Sequence, residues 1–187
     1  MFVFFKQLTQ YILLRVTHAH LQEVTHITYN ANIKCVATLS KDGVINLYLV
    51  PSFALLNSFK IQTTNMINKV FLFHTPLYCF VAYCQKNNTL TCHSMNIEQV
   101  LYEYEPDNNE SLEVKCPVVI EKDHANEYLA FVNETNEIIV LGIPRLNVVK
   151  KKKINFEVYA LEYSKAENAL IAVDKTLKNI ACVDIWK

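Results

Sequence analysis

The chain has 187 residues, 51% of them hydrophobic and 19% charged, which is enough apolar side chain for one sizeable core and too much for a disordered segment. Eighteen Lys and Arg balance eighteen Asp and Glu, so no net field draws it to nucleic acid, and nucleic acid is not expected as a partner. No run approaches the ~18 apolar residues of a membrane span. The six cysteines (Cys35, Cys79, Cys84, Cys92, Cys116 and Cys182) make no CxxC pair and sit mostly in apolar runs, the habit of small buried hydrophobes in a reduced compartment. A cytoplasmic protein, peripheral on a membrane at most, is the expectation.

The opening MFVFFKQLTQYILL is cut by Lys6, Gln7, Thr9 and Gln10, too early for a signal-peptide core, and reads as two strands at residues 1–5 and 11–16. A polar link follows, then strands at 24–29 and 34–39 and one on each side of Pro51. Further strands are expected at 69–73, 78–83, 90–94 and 98–104. The polar, acidic stretch from Glu105 to Glu113 breaks all periodicity and reads as a surface loop. Strands resume at 115–120, 127–132, 137–141 and 146–152, and again at 156–163, 170–173 and 180–186, where Trp186 is expected to bury its ring with the indole N–H bonded. Helical periodicity of any length is absent. The chain has two glycines, Gly43 and Gly142, and many asparagines. Asn tolerates left-handed backbone, so Asn87-Asn88 and Asn133-Glu-Thr-Asn136 are expected to make turns that glycine usually makes. The Asn-x-Ser/Thr triplets at Asn87, Asn109 and Asn133 follow from the same bias rather than from glycosylation.

The strands repeat. Residues 138–150, Ile-Ile-Val-Leu-Gly-Ile-Pro144-Arg-Leu-Asn-Val-Val-Lys, align without a gap on residues 45–57, Ile-Asn-Leu-Tyr-Leu-Val-Pro51-Ser-Phe-Ala-Leu-Leu-Asn. The offset is about twice the ~40 to 45 residues of a propeller blade. A fainter copy lies midway at residues 90–102, from Leu90 through Asn96 to Tyr102. The expected fold is all-β: a partial WD-repeat-like β-propeller of antiparallel four-stranded blades. Its single domain divides into an incomplete blade at 1–16, blades at 20–60, 66–104 and 114–153, and an incomplete blade at 154–187. Val70-Phe-Leu-Phe and Leu170-Ile-Ala-Val are apolar on both faces, as inner strands packed between two blades must be.

In the first full blade the chain resembles a WD repeat. Ala19-His20 stands where that family has Gly-His, Ser40-Lys-Asp42-Gly43 matches its turn, and Tyr48-Leu49 replaces Trp-Asp. The resemblance implies a blade-tying hydrogen-bond chain of His20, Asp42, Thr38 and Tyr48, with Tyr48 departing from the family's Trp. A narrower resemblance lies in Val70-Phe-Leu-Phe-His-Thr-Pro76-Leu-Tyr-Cys-Phe80, in Leu90-Thr-Cys-His-Ser-Met-Asn96 and in the turn Ile143-Pro144-Arg-Leu146. These are similar to the C-terminal propeller of BEACH-domain proteins, the family of neurobeachin and the lysosomal trafficking regulator. It implies a docking surface in vesicle and lysosome traffic, with protein partners.

No pair of acidic residues converges as catalysis would require, so no catalytic residue, cofactor or metal is expected. Cys92-His93 and His18-x-His20 come nearest to metal spacing, and neither has a second ligand cluster. The run Lys150, Lys151, Lys152 and Lys153 is read first as protection of an exposed outer strand and second as a contact to anionic headgroups or to a partner. The functional expectation is a non-catalytic protein-interaction scaffold of the BEACH type. The alternatives are a WD-repeat adaptor of a coat, tether or ubiquitin ligase, and a propeller hydrolase, which would need a polar central cleft. An open ring would leave apolar faces bare, so the isolated chain is expected not to behave as a clean monomer.

Overall fold

The computed structural model describes residues 2–7, 10–16, 20–61, 67–73, 78–86, 89–96, 99–106, 112–122 and 126–186. His18, Asn87-Asn88 and the centre of the 105–113 loop lie outside the described residues. The strands β1 (Phe2–Gln7) and β2 (Gln10–Val16) pair as a two-stranded antiparallel sheet. Blade one is the four-stranded meander β3 (Val24–Asn30), β4 (Cys35–Ser40), β5 (Val44–Leu49) and β6 (Ala54–Lys60). Blade two is β7 (Lys69–Phe73), β8 (Cys79–Cys84), β9 (Thr89–Ser94) and β10 (Val100–Tyr104). Blade three is β11 (Lys115–Glu121), β12 (Glu127–Val132), β13 (Glu137–Gly142) and β14 (Asn147–Lys153). Blade four has three strands, β15 (Ala160–Ser164), β16 (Ala169–Val173) and β17 (Ile180–Asp184). The fold is an unclosed, all-β partial propeller.

Successive side chains of a strand point to opposite faces, and here each face meets a different neighbour. On β7 and β8, Val70, Leu72, Phe80 and Ala82 join Leu39, Ile45 and Leu47 of blade one. Phe71, Phe73, Val81 and Tyr83 turn the other way, onto Leu129, Phe131 and Leu141 of blade three. On β12 and β13, Ala130, Val132, Ile138 and Val140 pack on Leu161, Leu170 and Val183 of blade four. This is why the sequence runs apolar without alternation through the middle blades. All six residues of β8 are buried.

The repeat is visible in the backbone as well. In each complete blade the outer strand carries one extra residue opposite the same step of the third strand: Leu56 opposite Leu47/Tyr48, Leu101 opposite Cys92/His93, and Val149 opposite Val140/Leu141. Such bulges sharpen the local twist of the strand that carries them. The turns around Pro51 and Pro144 also share their backbone geometry. Both prolines are cis, Phe53 and Leu146 two residues on both have φ of 54°, and their N–H groups donate to Leu49 O and Gly142 O at 2.6 and 2.8 Å.

The fourth blade differs from the sequence expectation at both ends. Its inner strand begins at Ala160 rather than at residue 156, because Asn136 in the preceding blade captures the linker. The Asn136 amide donates to Ile154 O and Phe156 O, and its Oδ1 accepts the Val158 N–H at 3.1 Å. The last strand stops at Asp184, whose carboxylate accepts the Trp186 N–H at 2.9 Å. Trp186 is half-buried, its indole N–H bonded to Asn168 Oδ1 at 2.7 Å and its ring edge-on to Tyr128.

Candidate functional site

The residues named by the WD-repeat resemblance sit on the face of blade one that points away from blade two. His20 Nε2 lies 2.6 Å from Thr38 Oγ1 and 3.3 Å from Asn46 Nδ2, and Asn46 Oδ1 accepts the Ser58 hydroxyl at 2.6 Å. The chain of bonds therefore crosses the blade from the entry residue to the outer strand through Asn46, not through Tyr48. Tyr48 is two residues further along β5, buried, with its hydroxyl unbonded among the described residues. Asp42 closes its own turn, accepting the Ser40 hydroxyl at 2.6 Å, a bond that holds its pKa below the ordinary carboxylate value. Burial holds His20 below the ordinary histidine value against the opposing charge of Asp42. Asn46 and Ser58 were not singled out from the sequence. The signal for Asn46 was a polar residue at a buried strand position beside His20; Ser58, on the exposed outer strand, left none.

A second tie links blades across the ring. Asn30, at the end of β3, donates to Leu72 O at 3.1 Å and to Glu121 Oε1 at 3.2 Å, and Asn32 donates to Glu121 Oε2 at 2.6 Å. Blades one, two and three are thus held together by one amide and one carboxylate. The cavity beside them, about 300 Å³, is lined by Thr28, Leu72, Val118 and Glu162, one from the inner strand of each of the four blades. This is the axial channel at the end where inner strands finish. It is of mixed polarity, and no group of three or more metal-ligating side chains occurs among the described residues.

At the opposite ends of the inner strands lies a larger pocket of about 580 Å³. Lys69 from the start of β7, Lys115 and Cys116 from β11, and Phe156, Val158 and Tyr159 from the linker before β15 line it. Lys69 donates to Val114 O at 2.6 Å, the Cys116 thiol to Tyr159 O at 3.1 Å, and Tyr83 OH to Leu112 O at 2.5 Å. Three blades are pinned here by side chain to backbone bonds, so the pocket is preformed. Burial holds the Lys69 pKa below the usual lysine value, partly offset by Cys116 and Glu113. Burial also pushes the Cys116 thiol up, so it stays protonated at neutral pH. Sequence reading missed this pocket, since its lining comes from residues 69 to 176 with no local motif.

Of the metal-like pairs, His93 is buried, stacked on Phe80 at 4.9 Å and bonded to Thr91 Oγ1 at 2.8 Å. Cys92 faces the other side, beside Cys79, and that contact together with burial raises its pKa. Both are packing residues of blade two. Lys150, Lys151, Lys152 and Lys153 all lie on β14, which among the described residues pairs only with β13 and forms the outer edge of blade three. Lys151, Lys152 and Lys153 are exposed, and Lys153 reaches the Thr135 carbonyl.

No family model and no curated protein matches the chain. Solved structures do. The chain is similar to the computationally designed Ika4 protein, at TM-score 0.60 and 12% identity over 90% of this chain and 96% of that one. It is similar to the computationally designed Ika8 protein at TM-score 0.63 and 13% identity, over 92% of this chain and 49% of that one. The WD40 β-propeller domain of Doa1 matches at TM-score 0.58 and 12% identity, over 88% and 51%. The chain therefore spans about half the length of the Ika8 and Doa1 chains. At these identities the likeness establishes a propeller fold.

Proposed function

We propose that the chain is a non-catalytic protein-interaction scaffold, of the BEACH type in membrane traffic, acting from the cytoplasmic side of endomembranes. The observation that carries the scaffold reading is how the buried and half-buried polar side chains are used. His20, Asn30, Asn46, Asn136 and Glu121 tie strand to strand and blade to blade, whereas an open, preformed pocket of charged and aromatic side chains faces outward at the starts of the inner strands. A frame tied in this way with an open pocket at one end is a docking architecture. The trafficking role rests on the resemblance of residues 70–80, 90–96 and 143–146.

The test is affinity purification of the tagged full chain from cell extract, with membrane and soluble fractions kept separate. Enrichment of vesicle or lysosome trafficking proteins in the membrane fraction is expected. Recovery of coat, tether or ubiquitin-ligase subunits instead would assign it to an adaptor of that assembly. Recovery of no protein above a tag-only control would remove the scaffold reading.

A further inference from the structure

The pocket where β7, β11 and the linker to β15 meet combines two features. One is a cation with no carboxylate of its own, since Glu113, whose charge partly offsets the burial of Lys69, is ion-paired with Lys115. Lys69 is half-buried, and one of its three ammonium N–H groups is bonded, to the neutral Val114 carbonyl. Among the described residues no carboxylate forms an ion pair with it. The carboxylates nearby are engaged elsewhere: Glu113 pairs with Lys115 at 2.7 Å, and Asp174 accepts from Thr176 N, Lys178 N and Asn179 Nδ2 within its own turn. The exception is Glu157, exposed at the rim. The other feature is an apolar wall, in which Phe156 and the 62% exposed Tyr159 flank the opening. A partly dewatered ammonium gains most from a charge-assisted hydrogen bond, and aromatic walls gain most from covering by apolar side chain.

Building on the scaffold reading, we propose that this pocket docks a short acidic peptide segment of a partner protein, in which a Glu or Asp carboxylate meets Lys69 and an adjacent apolar side chain lies between Phe156 and Tyr159. The pocket volume of about 580 Å³ accommodates two such side chains, and its pinning by Cys116 and Tyr83 leaves little to order on binding. Glu157 opposes an acidic ligand and so limits its affinity.

The experiment uses the full chain and two pools of fluorescein-labelled hexapeptides, one carrying a single Glu beside a Phe or Leu, the other identical with Gln for Glu, read by fluorescence anisotropy. The Glu pool should bind roughly tenfold more tightly, Lys69→Met should abolish that preference, and Lys69→Arg should keep it. Because Lys69 also holds the Val114 carbonyl, Glu157→Gln serves as a second variant on an exposed residue, and it should tighten binding of the Glu pool several-fold. Equal binding of the two pools, a preference that survives Lys69→Met, or no gain with Glu157→Gln would overturn the proposal. Partners recovered from extract alongside such a negative result would leave the scaffold reading standing, with docking on another face.

Discussion

Three turns at equivalent points of the repeat show how single residues set the cost of this fold. Gly43, Asn136 and Leu177 all have positive φ, at 79°, 65° and 58°, and each N–H closes a turn onto the carbonyl three residues back, in Ser40, Asn133 and Asp174. Left-handed backbone costs an L-residue about 1–2 kcal/mol, which glycine escapes. Leu177 is 68% exposed and loses little burial on replacement, so Leu177→Gly should stabilise the protein by about 1 kcal/mol in urea unfolding. Asn136→Gly should do the opposite, by about 1–3 kcal/mol, because it strips the linker carbonyls and the Val158 N–H of their partner. Asparagine in place of glycine was legible in the sequence; its second job of holding the linker was not, because that partner lies about twenty residues on. Acid should test the buried histidines. Burial lowers the His93 pKa to about 4, and His20 and His26 are lowered too. The unfolded chain then binds protons that the folded one refuses, so stability is full above about pH 6.5 and falls as pH drops toward 4, with His93 accounting for roughly 3 kcal/mol by the lower end. In unfolding curves at pH 7 and pH 4.5, His93→Phe should flatten that loss.

Among elements, the outer strands carry the most readable and the least readable features together. The thirteen-residue repeat from residue 45 and from residue 138 placed the third and fourth strands correctly, since alternation and the turn proline survive substitution. The bulges at Leu56, Leu101 and Val149 were not readable, because an extra residue on an exposed outer strand of mixed polarity leaves no mark in an already irregular pattern. Nor was the Asn30–Glu121 tie, made by residues 91 apart. The lysines of β14 present charge along an edge whose outward backbone groups would otherwise accept another strand. Changing Lys150, Lys151, Lys152 and Lys153 to Gln should therefore speed aggregation, followed by turbidity, while leaving binding to acidic liposomes unchanged in a flotation assay. A clear drop in liposome binding would assign the strand to headgroup contact instead.

Over the whole molecule, the ring stops short of sealing. The face of blade one that carries Ile27 and Tyr29 leaves both more than half exposed, and on blade four Ile180 is 66% exposed beside the exposed Cys182. β17 is the edge of a three-stranded sheet, unlike the third strands of the other blades. Apolar faces of this kind on a protein in water associate. Multi-angle light scattering of the isolated chain should show species above monomer mass that grow with concentration, and Ile27→Thr with Ile180→Thr should reduce them; a monodisperse monomer would contradict the prediction.

Because side chains of β7, β8, β12 and β13 alternate between two neighbours, each middle blade leans on both sides, whereas a terminal blade leans on one. Loss of order then has a direction. Opening should begin at the outermost blades and pass inward one interface at a time, as in other nearest-neighbour arrays. Amide protons of β8, buried throughout and bonded on both edges, should be the last to exchange with deuterium, and those of β17 among the first.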